Sequence, residues 1–377
     1  MRYTDAMLGE LIDNEVLVCP VCRRRQNGVL HQHSLIIDSV NKRTHGLPME
    51  GFLKCCGCPA RFPIIDGVAI IMADVAGWLK QQERPVFHRQ DLSSEMSNWL
   101  SLAWNDEEDP SWRRQMLAVY GRKLLPLAHD MWQDTLEPIL RQSQDFHSKR
   151  QRLLIEDGQS PLILDAGCNV GVHTLAMAAM GGRIIAIDND FGALSVLSRL
   201  LYSGHVTVPI WRHGGSDYTH VEINRPKGVQ PEQCALIAAD MLDPPLRGQT
   251  LDAVTCYNII DNVANPVLLL RQAHAGLKLN GKLIISTPYE WVSRCTPLQH
   301  RLGEAIRIGD DPDPSQALHD LVTGKMPQHA PEFNMVITHE DRCLPWVVVR
   351  HNRSAHIYNT HYVEAIRQDQ NATVEGI

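Results

Sequence analysis

The sequence predicts an α/β protein. A doubly wound, mostly parallel sheet occupies residues 159–377, preceded by a small metal-binding β domain over 1–74 and a helical connector over 75–158. Three observations predict this. Short apolar runs alternate with helical stretches from residue 159 onward, the pattern of strands joined by crossover helices. One such run leads through the glycine-bearing segment Asp165–Gly171 straight into a helix. Two Cys-x-x-Cys pairs, Cys19/Cys22 and Cys55/Cys58, stand close together near the N-terminus.

The alternation is read element by element. Leu162-Ile163-Leu164 is a buried strand by length and composition, and Val172 to Met180 is a helix. Ile184 to Ile187 and Ala193 to Leu201 repeat the pair. Strands follow at Ala235–Ala238, Ala253–Cys256 and Lys282–Ile285, with a helix over Val267–Leu277 before the last. Asp261 and Asn262 are candidate caps for that helix. In the first domain, Phe62–Met72 reads as short strands broken by a turn at Asp66-Gly67. The connector is rich in tryptophan (Trp78, Trp99, Trp104, Trp112 and Trp132) and in helix formers, and reads as a helical core between the flanking parts.

Composition narrows the function. The chain has 377 residues, a net charge of −7, 44% apolar and 21% charged residues, as in ordinary globular proteins. The acidic total gives no general attraction to nucleic acid or anionic membrane. No stretch approaches the run of about 20 apolar residues that a spanning helix needs. The opening Met-Arg-Tyr-Thr-Asp lacks the pattern of a secretory leader. Five of the ten cysteines crowd between Cys19 and Cys58, which predicts a cytoplasmic protein with one local metal site rather than a disulfide framework.

Two knuckles of paired thiolates complete a tetrahedral Zn²⁺ site, and four cysteine ligands make it closed and structural. Cys19, Cys22, Cys55 and Cys58 are the expected ligands, with Cys56 an alternative to Cys55. Cys-Pro-x-Cys, a long insert, Cys-x-x-Cys and then Phe62-Pro63-Ile64-Ile65-Asp66-Gly67-Val68 resembles the small zinc-ribbon partner subunit of eukaryotic tRNA methyltransferases and its short bacterial relatives. That resemblance implies a stabilising module docked on a methyltransferase.

Gly167 and Gly171 let the backbone turn sharply and approach a ligand. Asp188, closing the next strand, is an acid placed to hold ribose hydroxyls. A dinucleotide could be bound by such a loop, but Asn169 fills the place of the second glycine in the dinucleotide fingerprint. Asp-x-Gly-x-Asn-x-Gly is similar to motif I of class I S-adenosylmethionine-dependent methyltransferases, which have a Rossmann-like fold. The resemblance implies that Asp165, Gly167, Asn169 and Gly171 line the methionine part of S-adenosyl-L-methionine. It further implies that Asp188 binds ribose, that Asp240 and Met241 meet adenine, and that Asn258 lies beside the methionyl group.

The acceptor wall is expected from loops at the C-terminal strand ends, Tyr257–Asn265 and Ser286–Trp291, with a contribution from 205–233 and from the polar, aromatic stretch after His339. Asn265-Pro266, Leu279-Asn280-Gly281, Thr287-Pro288-Tyr289-Glu290-Trp291-Val292, Thr296-Pro297 and the tail Leu344–Arg353 look similar to the methyltransferase domain of ovothiol biosynthesis. That family methylates an imidazole nitrogen. The resemblance implies a small amino-acid-like or heterocyclic acceptor, methylated on nitrogen, with Tyr289, Trp291 and Arg350 positioning it. Asp261 or His351 is the candidate base. The competing expectation is an RNA or protein substrate recognised by the ribbon, with Arg23, Arg24, Arg25, Lys42 and Arg43 as a basic cluster. A scaffold that has lost catalysis is a third reading, opposed by the intact Asp165, Gly167, Gly171 and Asp188. The oligomeric state is not encoded in any feature of the sequence.

Overall fold

The structure is a computed structural model that describes residues 7–26, 29–81, 92, 93, 95, 96, 99, 137–155, 159–211, 218–304, 313–351 and 354–369. The helices are α1 (Met7–Asp13), α2 (Val75–Gln81), α3 (Glu137–Leu154), α4 (Val172–Ala179), α5 (Phe191–Tyr202), α6 (Pro266–Gly276) and α7 (Pro314–Val322). The first strands are β1 (Arg24–Gln26), β2 (Val29–His31), β3 (Leu35–Thr44), β4 (Leu47–Cys55), β5 (Arg61–Ile65) and β6 (Val68–Ile70). β7 (Leu162–Ala166), β8 (Arg183–Asp188), β9 (His205–Trp211), β10 (Tyr218–Asn224) and β11 (Cys234–Ala238) follow. β12 (Leu251–Tyr257), β13 (Leu277–Thr287), β14 (Met335–His351) and β15 (Ser354–Arg367) complete the set.

The chain divides into two compact units. One comprises Met1–Leu136, Cys168–Arg247 and Val348–His356; the other comprises Glu137–Gly167, Gly248–Val347 and Ile357–Ile377. The doubly wound, mostly parallel α/β class predicted from the alternation is the class observed, with parallel strands at the heart of each unit and antiparallel strands added.

In the first unit β11 pairs in parallel with β8 on one side and with β6 on the other, so that Leu236 lies between Ala186 and Val68. Every residue of β11 is buried, as expected for a short apolar strand flanked on both sides. β6, β5, β4 and β3 then continue as an antiparallel meander. The N-terminal strands therefore extend the sheet of β8 and β11. The turn at Asp66-Gly67 joins β5 to β6 as expected. α5 starts at Asp190, whose carboxylate accepts the Ala193 N–H at 3.1 Å. β9 and β10 form a separate antiparallel pair.

In the second unit β12 pairs in parallel with β7 and with β13, and β15 runs antiparallel to β13. All five residues of β7 are buried. Asn265, rather than Asp261 or Asn262, caps α6: its side chain accepts the Leu268 N–H at 3.0 Å ahead of Pro266. The Asp313 carboxylate caps α7 through the Ser315 N–H at 2.8 Å. α3 packs an aromatic edge onto its own unit, Phe146 meeting the Tyr362 ring at 4.9 Å and His147 the Tyr257 ring at 5.3 Å. Burial lowers His147 to about 4. Of the expected connector, α2, α3 and a few residues between them are described. Trp104, Trp112 and Trp132 lie outside the described residues.

Candidate functional site

The segment after β7 has the backbone its glycines predict. Gly167 and Gly171 adopt φ of 71° and 82°, and Asn169 adopts 51°. A Cβ at Gly167 would stand 2.5 Å from Ile259 Cδ1, and one at Gly171 would stand 2.4 Å from Leu197 Cδ1. Both positions thus combine left-handed backbone with no room for a side chain. Asp165 is buried at the end of β7 and accepts the Thr255 hydroxyl at 3.1 Å.

Asp188 ends β8 and shapes this loop. One carboxylate oxygen accepts the Asn169 N–H at 2.8 Å, and the other accepts the Asp190 N–H at 2.9 Å. The Trp78 indole N–H donates to the Asn189 side chain at 2.7 Å and packs edge-on against Phe191, which braces the same corner. Asn169 Oδ1 is buried with no hydrogen-bond partner among the described residues. A buried acceptor of this kind carries a desolvation cost that a ligand N–H would remove. The loop therefore fits a ligand with an amino group and a ribose: it holds left-handed glycines, an acceptor unpaired among the described residues and a carboxylate.

Past β11, Asp240 is exposed, its carboxylate accepting the Leu242 N–H at 2.8 Å, while Met241 is buried. This segment is clasped by the N-terminal module. Arg23 donates to the carbonyls of Asp243 (3.2 Å) and Pro244 (2.9 Å) and pairs with the Asp243 carboxylate at 2.7 Å. The Val18 N–H donates to the Pro245 carbonyl at 3.0 Å.

The four sulfurs of Cys19, Cys22, Cys55 and Cys58 lie within 4.8 Å of one another. Cys19 and Cys58 are 3.8 Å apart, and Cys22 and Cys55 are 3.6 Å apart. A tetrahedron with metal–sulfur bonds of about 2.3 Å has edges of about 3.8 Å. Cys56 is exposed and outside the cluster, so Cys55 is the residue that faces the other three. The Gly57 N–H donates to Cys55 Sγ at 3.2 Å, and His33 Nδ1 lies 3.3 Å from Cys22 Sγ. Burial pushes the Cys19 thiol well up and Cys22 up to about 11. At Cys55 burial acts in the same sense, but the Gly57 N–H and neighbouring sulfurs outweigh it and hold that thiol down.

The basic cluster is largely committed within its own unit. Arg23 is engaged as described, Lys42 pairs with Glu50 at 3.2 Å, and Arg43 donates to the Gly46 carbonyl at 2.8 Å. Arg24 is exposed, and the Arg25 side chain lies outside the described residues.

In the second unit, Asn258 follows β12 and Tyr289 follows β13, with left-handed φ of 54° and 56°. The Asn258 N–H donates to the Ser286 carbonyl at 2.7 Å, and its side chain accepts the Ser286 hydroxyl at 3.3 Å. Asp261 is buried and stitches the two loops together. Its carboxylate accepts the Glu290 N–H at 2.9 Å and the Asn262 side chain at 2.9 Å, while its carbonyl accepts the Val292 N–H and the Thr296 hydroxyl. Burial pushes its carboxyl up to about 6, against the pull of those donors.

The Tyr289 hydroxyl lies 2.7 Å from His361 Nδ1, and His361 Nε2 lies 2.9 Å from Glu340. His319 and Arg342 also donate to Glu340, at 3.0 and 3.1 Å. Trp291 sits beside Tyr289, ring centroids 6.1 Å apart. Arg350 and His351 are at the end of β14, with side chains outside the described residues. His361 is the residue that sequence reasoning missed. Its signal is the antiparallel register that sets it opposite Thr287, two residues before Tyr289.

Comparison with known proteins bears on the same region. Residues 164–285 match the family model of a methyltransferase domain. The chain is 25% identical to the mitochondrial ubiquinone biosynthesis O-methyltransferase of Schizosaccharomyces pombe, over 44% of this chain and 48% of that protein. It is 27% identical to the demethylmenaquinone methyltransferase of Thermobifida fusca, over 47% of this chain and 64% of that protein. The chain thus spans about half to two thirds of the length of these curated relatives. Among solved structures, the magnesium protoporphyrin IX methyltransferase of Synechocystis PCC 6803 is similar at 14% identity, covering 70% of this chain and all of that one, with a TM-score of 0.36. No helix among the described residues is long and apolar enough to cross a membrane. Asp165 in β7, Gly167, Asn169 and Gly171 just beyond it, and Asp188 at the end of β8 all fall within the stretch 164–285 that matches a methyltransferase domain.

Proposed function

We propose that the protein transfers a methyl group from S-adenosyl-L-methionine to a small molecule, on a nitrogen of an amino-acid-like or heterocyclic acceptor. The observation that carries the donor is the loop after β7, where Asn169 Oδ1, buried without a hydrogen-bond partner among the described residues, stands beside the left-handed Gly167 and Gly171. Asp165, Gly167, Asn169, Gly171 and Asn258 would hold the methionine part, Asp188 the ribose, and Asp240 and Met241 the adenine. The donor supplies an electrophilic sulfonium methyl, so the protein contributes mainly alignment and, where the nucleophile carries a proton, a place for that proton.

Two observations support a small acceptor over RNA. Relatives named for ubiquinone and demethylmenaquinone chemistry support it. So does the internal engagement of Arg23, Lys42 and Arg43, three of the five residues of the basic cluster. The resemblance of 260–365 to the ovothiol domain favours nitrogen, while relatives named O-methyltransferases make a hydroxyl the competing acceptor atom.

In this reading residues 1–74 form a zinc module, 75–158 a connector and 159–377 the catalytic part. The sulfur separations suit Zn²⁺, and four cysteine ligands leave no open position, which assigns the metal a structural role. The test is mass-spectrometric. S-adenosyl-L-methionine and protein are incubated with small-molecule, RNA and protein fractions separately, and the methylated product is identified. A methylated small molecule supports the reading, and its fragmentation assigns nitrogen or oxygen. Product in RNA or protein alone would overturn it.

A further inference from the structure

Tyr289, His361 and Glu340 form a directed hydrogen-bond chain whose polarity can be worked out. An ionised carboxylate only accepts, so Glu340 requires a proton on His361 Nε2. Neutral imidazole then has a bare lone pair on Nδ1, and the Tyr289 hydroxyl, 2.7 Å away, must donate to it. Three donors on Glu340, from His361, His319 and Arg342, keep that carboxylate ionised. Despite burial, its carboxyl is held below the usual range. His361 is 2% exposed, so its partners on either side are fixed by packing. Tyr289 is half-buried and lies two residues beyond the C-terminal end of β13, the end at which ligands of open α/β sheets bind. It holds a left-handed backbone that a tyrosine adopts only at a cost of about 1–3 kcal/mol. That strain is imposed by the Thr287 hydroxyl, which accepts the Tyr289 N–H at 3.1 Å, and by the Asp261 clamp on the Glu290 N–H.

We propose that Tyr289 is the group that takes the acceptor's proton, and that His361 and Glu340 are positioning residues that draw the phenolic proton away from it. The inference rests on the small-molecule methyltransferase reading. The step balances. The acceptor's lone pair forms its bond to the methyl carbon, and the carbon–sulfur pair stays on sulfur. The acceptor's proton passes to Tyr289 Oη while the phenolic proton moves to His361 Nδ1. The resulting imidazolium is paired with Glu340. The arrangement follows the logic of a nucleophile, an imidazole and an orienting carboxylate, with a phenol in the first place.

The groups facing His361 are Tyr289 from the loop after β13, Glu340 and Arg342 from β14, and Asp313 at the start of α7, with His319 behind Glu340. Burial holds the imidazole below its ordinary value, Glu340 and Asp313 pull it up, and Arg342 pushes it down. It is therefore neutral and able to accept a proton near pH 7.

The experiment has two arms. In the first, histidine-¹⁵N NMR on the full chain, with His361 identified by loss of its signals in His361→Gln, reads the tautomer without any acceptor. The expected result is protonated Nε2, bare Nδ1, and a displaced Nδ1 resonance in Tyr289→Phe. A protonated Nδ1, or a resonance indifferent to Tyr289→Phe, overturns the proposal. The second arm follows tritiated methyl transfer from S-adenosyl-L-methionine into a small-molecule extract across pH. Tyr289→Phe and His361→Gln should lose about a hundredfold or more in rate with donor affinity unchanged within about twofold. In Glu340→Gln the pull that raises the imidazole is gone, so the acidic limb should move to lower pH and the plateau should fall. Full rates in His361→Gln, or an unmoved limb in Glu340→Gln, overturn the proposal. If the wild type labels no small molecule, the functional reading itself fails and the proton step falls with it.

Discussion

The Asp261 carboxylate accepts the Glu290 backbone N–H at 2.9 Å, tying the turn after β12 to the loop after β13 that carries Tyr289. With Asn262 on its other oxygen and Val292 and Thr296 on its carbonyl, Asp261 serves as a clamp. Losing it removes two part-buried hydrogen bonds to the carboxylate, about 1.5–3 kcal/mol each for a charged acceptor. Asp261→Ala should therefore lower the melting temperature by several degrees. Its carboxyl ionises at about 6 in the fold against about 4 in an unfolded chain. Because the folded value is raised, this contribution to stability is present below about pH 4 and is lost as pH rises through about 6. Urea melts from pH 4 to 7 should show that decline in the wild type and not in Asp261→Asn. Parallel curves would refute the assignment.

Metal content is the second prediction. Elemental analysis should find about one zinc per chain, lost in Cys19→Ser, Cys22→Ser, Cys55→Ser or Cys58→Ser and retained in Cys56→Ser, as expected for a four-sulfur site. Arg23 follows Cys22 directly and holds Asp243 and Pro244. Removing the metal should accordingly weaken donor binding several-fold by loosening the segment after Asp240. Retention of zinc by Cys55→Ser and its loss from Cys56→Ser would reverse the ligand assignment.

Gly167 supplies the third. An alanine there meets a left-handed φ, costing about 1–2 kcal/mol, and a Cβ 2.5 Å from Ile259. Gly167→Ala should lose more than about 2 kcal/mol of stability together with donor affinity, read by chemical denaturation and titration. Gly204, with a similar φ and open space around it, is the control: Gly204→Ala should pay only the backbone cost.

The strands β7, β8, β11, β12 and β13 and the helices α4, α5 and α6 are legible in the sequence because each is an apolar run bounded by turn residues, whereas β9 and β10 fall in the stretch 205–233, where no strand is expected. The helix expected over Val172–Met180 is found at Val172–Ala179. The glycine loop is equally legible, since its chemistry is local. The acceptor side is not. His361 and Tyr289 are 72 positions apart and meet because β15 runs antiparallel to β13, a pairing that no local pattern encodes. The cap of α6 shows a smaller failure: three polar residues precede Pro266, and only Asn265 has the position for its side chain to reach the Leu268 N–H. The attachment of β6 to β11 is hidden for the same reason as His361, since the partners are distant in the chain.

The central claim is that the loop after β7 and Asp188 together hold S-adenosyl-L-methionine. Titration calorimetry tests it most directly, with wild type and Asp188→Ala compared side by side. Asp188 organises the loop through Asn169 and Asp190 and is the proposed ribose ligand, so hydrogen bonds to a charged group, about 1.5–3 kcal/mol each, are at stake. The account predicts one donor bound per wild-type chain, displaced by S-adenosylhomocysteine, and affinity at least about tenfold weaker in a folded Asp188→Ala. No binding by the wild type, or equal binding by both, would contradict it.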